Sequence, residues 1–328
     1  MKILNLSFQD FAGVAYTLSH AMNKHHPEHS TINLRALGSF YNYPTIAEMR
    51  DYDIKLCKKI VMKADVVLFH SVVKPFFKAL NLKPKDLDGK KKIVYFLGSE
   101  LRNLGTQLTD QAKEYLNTYQ GLVDIPDLFF YTKEKVKWLP SCRSFSEISN
   151  MYAKCNQDSK ALKAFEVPRK KVIFCHAPSD EYKKGTATFS RVITEIMKLL
   201  PQVNYLPVRN QTWAACLQAL SGSDVVFDSD PPFEYSYGMI SVEASIFKIP
   251  VVTKISNRVI QKIYDETGLK SPFITFTNED DLFEKAYLLG RDAEKRRMFG
   301  DLVYKYCKAL HDEKPVSDKF LKIIGEMD

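Results

Sequence analysis

The stretch Asp224–Val252, DVVFDSDPPFEYSYGMISVEASIFKIPVV, constrains the chain more than any other. It reads strand, loop, helix, strand. Apolar residues follow Asp224, a loop rich in Asp, Pro and Tyr narrows to Gly238, and a second apolar strand opens at Pro250. A strand that returns through a helix makes a parallel crossover, which needs helices to cover its sheet. A glycine at a helix start leaves backbone N–H groups facing outward, where an anion can sit. Glu243, further along that helix, is placed to accept hydrogen bonds from hydroxyl groups near such an anion.

The same alternation runs along the chain. Strands are expected at Ile3–Phe8, Asn33–Leu37, Asp65–Ser71, Lys92–Leu97 and Asp127–Tyr131. Helices are expected at Val14–Lys24, Ala47–Ala64 and Leu108–Tyr119. The pattern pauses at Val136–Pro140, passes through a helix near Glu147–Lys163, and reaches a hinge at Val167–Lys171. A second set then opens. Its strands are Val172–His176, Asn204–Val208, Asp224–Asp228, Pro250–Lys254 and Phe273–Phe276. Its helices are Gly185–Leu200, Thr212–Leu220, Ser236–Phe247, Glu279–Leu289 and Asp292–Leu310. The 328 residues, 45% of them hydrophobic, suffice for two cores. The expected division is 1–167, 168–310, and a last helix within 311–328 that returns to the first domain.

Several classes are excluded or disfavoured. No apolar run approaches the roughly 20 residues of a membrane-spanning helix, and Asp10 interrupts the first apolar stretch too early for a signal peptide. The six cysteines have irregular spacing and form no C-x-x-C pair, which reads as reduced, packed thiols in a cytoplasmic protein. There is no P-loop, nucleophile elbow, H-E-x-x-H or zinc-finger spacing. His25, His26 and His29 lack cysteine partners and read as a solvated helix end. The net charge of +8 favours an anionic partner, although the lysines are dispersed as on a soluble surface.

The Asp224–Val252 segment resembles the C-terminal domain of the family 4 retaining glycosyltransferases, the large group with glycogen-synthase-like and lipopolysaccharide-type members. Gly238, Glu243, Ala244, Pro250, Val251 and Val252 match that pattern. The family's first acidic residue does not: Tyr235 stands eight residues before Glu243. FCHAPSDEYKKGT, Phe174–Thr186, is similar to the family's H-A-P-S…K-G-T turn, and YFLGSELR, Tyr95–Arg102, to a turn of its N-terminal domain.

The resemblance implies the GT-B architecture, two Rossmann-like α/β domains facing a cleft. It implies a retaining, metal-independent glycosyltransferase (a hexosyltransferase) with a UDP- or GDP-linked sugar as co-substrate and no cofactor. Donor-side candidates are Gly13, His176, Lys183, Lys184, Arg209, Tyr237, Gly238, Met239, Ile240 and Glu243, with Lys184 on the diphosphate, Glu243 on the ribose and Arg209 by the base. His70, Glu100 and Tyr235 are the catalytic candidates. The acceptor is a glycan or lipid-linked saccharide; a nucleic-acid acceptor and a peripheral membrane contact stay open. Asp228-Ser229-Asp230 spells the D-x-D of metal-dependent transferases, but its place late in the chain favours a role for Asp228 in capping its strand and orienting the loop. A non-catalytic nucleotide- or glycan-binding protein and a sugar-nucleotide epimerase are the rival readings.

Overall fold

The computed structural model of the chain describes residues 1–38, 41–98, 101, 110–132, 136–152, 171–231 and 235–327. The chain divides into two compact units, Met1–Arg143 with Leu310–Asp328, and Ser144–Ala309. The expected boundary at 167/168 lies outside the described residues.

The first unit holds a seven-stranded parallel sheet. Its strands are β1 (Lys2–Ser7), β2 (Ser30–Arg35), β3 (Ala47–Glu48), β4 (Val66–His70), β5 (Lys91–Phe96), β6 (Gln120–Val123) and β7 (Val136–Trp138). The order is β3-β2-β1-β4-β5-β6-β7, the doubly wound arrangement. Every residue of β4 is buried, as parallel strands covered on both faces require. The helices are α1 (Val14–His25), α2 (Ile54–Lys63), α3 (Lys74–Ala79), α4 (Asp110–Leu116) and α5 (Phe129–Thr132).

Two expectations are corrected here. The helix expected over Ala47–Ala64 begins only at Ile54, because Asp53 accepts from the Leu56 N–H and caps it. Upstream, Ala47 and Glu48 pair with Leu34 and Arg35 as the edge strand β3. The strand expected at Asp127–Tyr131 is helical instead, opened by Pro126 at its first turn. The strand is β6, whose Gly121 hides the signal. A side chain there would collide with Leu116 and Val136.

The second unit carries β8 (Val172–His176), β9 (Val203–Pro207), β10 (Val225–Phe227) and β11 (Val251–Val252), parallel and ordered β11-β10-β8-β9. Of the strand expected at Phe273–Phe276, the structure shows a parallel bridge, Val252 to Ile274. Its helices are α6 (Thr186–Leu199), α7 (Trp213–Ser221), α8 (Met239–Ile246), α9 (Asn257–Thr267), α10 (Glu279–Arg291) and α11 (Ala293–His311), and α12 (Glu313–Gly325) follows them in the chain.

The last helix belongs to the first unit. Val316, Phe320, Ile323 and Ile324 of α12 join the core that holds Val14, Leu18 and Met22 of α1. Lys24 Nζ bonds the buried Glu313 carboxylate at 2.7 Å. Five free cysteines are described, Cys57, Cys142, Cys175 and Cys307 buried among them. Burial pushes the Cys175 thiol up to about 11, as expected of a packed thiol. No described helix is long and apolar enough to cross a membrane.

Candidate functional site

In open α/β sheets, ligands bind beyond the carboxyl ends of the strands where the strand order reverses. In the second unit β8 is flanked by β9 and β10, so that point lies beyond His176 and Phe227. The loops leaving these two strands are bound to each other. Asp230 N–H donates to the Lys184 carbonyl at 3.3 Å. Gly185 sits at φ 66 as the N-cap of α6, and a Cβ there would lie 2.7 Å from the Asp230 carbonyl. Only glycine makes that turn at that distance without strain. The turn aims Lys184 inward.

Lys184 Nζ donates to Asp228 Oδ1 at 2.8 Å and to the Tyr235 hydroxyl at 3.2 Å, and lies 4.7 Å from the centre of the Tyr235 ring. Asp228 Oδ2 accepts from the Gly238 N–H at 2.5 Å and from Ser241 Oγ at 2.6 Å. Burial by itself would raise the Asp228 carboxyl, but the Lys184 charge and the three hydrogen bonds outweigh it and hold it below the usual range. Burial by itself would lower Lys184; Asp228 and Tyr235 reverse that and raise it. Both groups are therefore charged at neutral pH.

Asp228 does orient the loop, by tying the start of α8 to the end of β10. Its carboxylate takes the Gly238 N–H. The next two N–H groups, of Met239 and Ile240, carry no hydrogen bond among the described residues. The second carboxylate of the D-x-D, Asp230, pairs with Lys254 at 2.8 Å. Each acid of that motif thus already holds a lysine.

Glu243 is buried, and its Oε1 accepts from the Trp213 indole N–H at 2.8 Å. His176 is a brace: Nδ1 meets the Phe227 carbonyl at 3.0 Å and Nε2 meets Thr186 Oγ1 at 2.8 Å. Burial lowers its pKa to about 4, which keeps it neutral. Tyr237 packs against Phe273, ring centres 4.5 Å apart. Arg209 and Lys183 are exposed and paired with Glu181 and Asp180, at 2.9 and 3.5 Å. Lys184, Tyr235, Gly238 and Asp228 are thus brought together, while His176 and Tyr237 are spent on packing. Trp213 and Ser241 were not legible as site residues, because an indole at a helix start and a serine inside one carry no motif.

In the first unit the order reverses between β1 and β4, whose ends Ser7 and His70 pair directly. The loop after β1 is unusual. Asp10, Ala12 and Gly13 all have positive φ, at 46, 59 and 65. The buried Asp10 carboxylate accepts from the Ala15 and Tyr16 N–H groups at 2.8 and 3.0 Å and so fills the amino end of α1 itself. Burial drives its pKa up to about 6, against the opposing pull of those two bonds. Arg143 clamps the loop by donating to the Ala12 carbonyl at 2.6 Å. A Cβ on Gly13 would lie 2.7 Å from the Tyr43 ring.

His70 ends β4, buried, and neither ring nitrogen has a partner among the described residues. Burial lowers its pKa to about 3, so the ring is neutral. It offers one donor and one acceptor, both idle. Glu100 lies outside the described residues.

No protein-family model matches the chain, and no curated relative does. Solved structures match across its whole length. HepE from Anabaena, in complex with UDP and glucose, is 11% identical with a TM-score of 0.63, covering 100% of both chains. An alpha-glucosyltransferase in complex with UDP-glucose and DNA containing an abasic site is 12% identical, TM-score 0.67, covering 99% of this chain and 100% of that one. A putative UDP-N-acetylglucosamine 2-epimerase from Listeria monocytogenes is 12% identical, TM-score 0.55, covering 100% and 97%. With a parallel, helix-covered sheet in each of its two units, the chain has the fold of the GT-B glycosyltransferases, two Rossmann-like α/β domains.

Proposed function

We propose that this protein is a retaining, metal-independent glycosyltransferase that moves a sugar from a nucleoside-diphosphate sugar to an acceptor hydroxyl. The observation that carries this reading is the meeting of Lys184 Nζ with the start of α8, at the sheet's switch point. A Cβ on Gly238 would stand 2.8 Å from that nitrogen. A lysine and idle helix N–H groups are what a diphosphate needs. The diphosphate sits beside Asp228, against Lys184 and the N–H groups of Met239 and Ile240. Glu243 holds the ribose, and Arg209 lies by the base.

As the sugar leaves, negative charge grows on the diphosphate, and fixed donors there stabilise it. Retention then follows from attack on the face the phosphate leaves, with a phosphate oxygen taking the acceptor's proton. Asp228 and Asp230 each bond a lysine rather than standing open together, which supports the metal-free reading. The neutral His70, with an idle donor and acceptor, suits hydrogen bonding to a sugar hydroxyl. Tyr235 shares Lys184 and sets its aim. Glu100 remains a candidate from its sequence match alone. A glycan or lipid-linked saccharide is the favoured acceptor. A nucleic-acid acceptor is the alternative, since one structure of the same fold was solved with UDP-glucose and DNA.

The test incubates the protein with UDP- and GDP-sugars, with and without EDTA. Nucleoside diphosphate released together with free or transferred sugar, undiminished by EDTA, supports the proposal. An isomeric nucleotide sugar as product indicates an epimerase, the reading favoured by the Listeria neighbour. Loss of turnover in EDTA removes the metal-free clause. Ligand-induced stabilisation without turnover indicates a non-catalytic binding protein.

A further inference from the structure

Helix α2 lies on the surface of the first unit. It buries only Cys57 and Val61 and exposes Ile54, Leu56 and Met62 at 59, 42 and 46%. Lys55, Lys59 and Lys63 are exposed on the same helix, spaced four apart, so they form one stripe, with Leu56 along one side of it and Met62 along the other. The lysines near α2 fall into two groups. Lys58 donates to the Asn81 carbonyl at 2.9 Å and pairs with Asp86 at 3.0 Å. Lys90 donates to the Met62 and Ala64 carbonyls at 2.8 and 2.7 Å, closing the end of the helix. These two fasten α2 to the segment between α3 and β5. Lys55, Lys59 and Lys63 have no hydrogen bond or ion pair among the described residues.

The neighbouring acids are occupied. Asp53 caps the helix, Asp65 accepts from the Lys2 N–H, and Asp51 faces Arg50. The stripe therefore presents three lysines without an ion pair among the described residues, flanked by exposed apolar side chains.

We propose that this face of α2 docks the protein on an anionic lipid surface. Charge alone would suit nucleic acid equally, because phosphate neutralisation needs only cations. The apolar residues flanking the lysines decide for lipid. Leu56 and Met62 gain nothing from a sugar-phosphate backbone but partition into the acyl boundary while the lysines meet the headgroups. The proposal is independent of the nucleotide-sugar reading, since it concerns a helix outside that site and is read by binding rather than turnover.

The test is co-sedimentation of the full-length protein with vesicles of phosphatidylcholine alone or with about a third phosphatidylglycerol, a fraction chosen to give a strong anionic surface. Binding is expected to the anionic vesicles only, and to fall steeply with added salt. Each lysine contributes about five-fold near such a surface. K55E/K59E/K63E is therefore expected to weaken partition by well over ten-fold. L56S/M62S keeps the charge and is expected to weaken it several-fold. Circular dichroism and an unchanged melting temperature show that both variants fold. Because these positions are exposed, surface substitution is tolerated. Failure of the wild type to sediment with anionic vesicles overturns the proposal. So does binding that neither variant alters. Retention on duplex DNA that depends on the lysines but not on Leu56 and Met62 overturns it in favour of a nucleic-acid face.

Discussion

Lys184 and Asp228 form a buried ion pair across the two loops of the second unit's switch point, with Nζ 2.8 Å from Oδ1. The pair joins the residue expected to meet a diphosphate to the residue that anchors the start of α8. Removing one partner of such a pair leaves the other charged and buried, which costs about 3–5 kcal/mol. Lys184→Ala is thus expected to lower the melting temperature as well as nucleoside-diphosphate affinity, the latter by about 10- to 100-fold. Adding Asp228→Asn should restore the melting temperature but not the affinity. Calorimetric binding and thermal melts on the single and double variants separate the two effects. Recovery of affinity in the double variant would place the diphosphate elsewhere.

Glu243 serves two partners in the proposed site. Glu243→Gln keeps an oxygen for the Trp213 indole and is expected to fold normally, with nucleotide affinity down about ten-fold, one charge-assisted bond. Glu243→Ala also strands the indole N–H and should cost a further 1–3 kcal/mol of stability. Equal nucleotide affinity in wild type and the glutamine variant would remove Glu243 from the ribose.

Among the described residues, neither ring nitrogen of the buried His70 has a partner. Each unsatisfied buried polar group costs about 1–3 kcal/mol. His70→Phe, sized to fill the space, is expected to raise the melting temperature while lowering turnover. A stabilised variant with full activity would leave the histidine without a role in the reaction.

Asp10 supplies a pH signature. Its folded pKa, about 6, lies above its ordinary 3.8, so the folded state holds the proton more tightly. The stability this contributes is fully present below about 3.8 and is lost as pH rises through about 6. Two units correspond to about 3 kcal/mol. Asp10→Asn cannot ionise, so its stability relative to wild type should climb between pH 4 and 7. Parallel pH profiles from denaturant melts of the two proteins would contradict this.

Glycines at similar φ should respond differently. Gly185→Ala meets the Asp230 backbone and should destabilise by several kcal/mol. Gly268, φ 69, faces nothing within 4 Å, so Gly268→Ala should cost only about 1–2 kcal/mol, the left-handed penalty. Thermal melts of both variants check the contrast.

The α/β alternation, most strand positions of the second unit and the Lys184–Gly185 and Gly238–Glu243 segments were legible in the sequence, because buried parallel strands and glycine helix starts are local patterns. Edge strand β3 and the glycine-bearing β6 were not, since their pairing partners, not their own residues, make them strands. Spacing placed Lys184 and Gly238 at helix starts. Only tertiary structure decided that Asp228 stands between them, that His176 is fully engaged, and that His70 and three lysines of α2 have no partner among the described residues. Those outcomes depend on which loops leave adjacent strands and which carboxylates lie within hydrogen-bond reach, and such distances are set by the packed sheet rather than by neighbours along the chain.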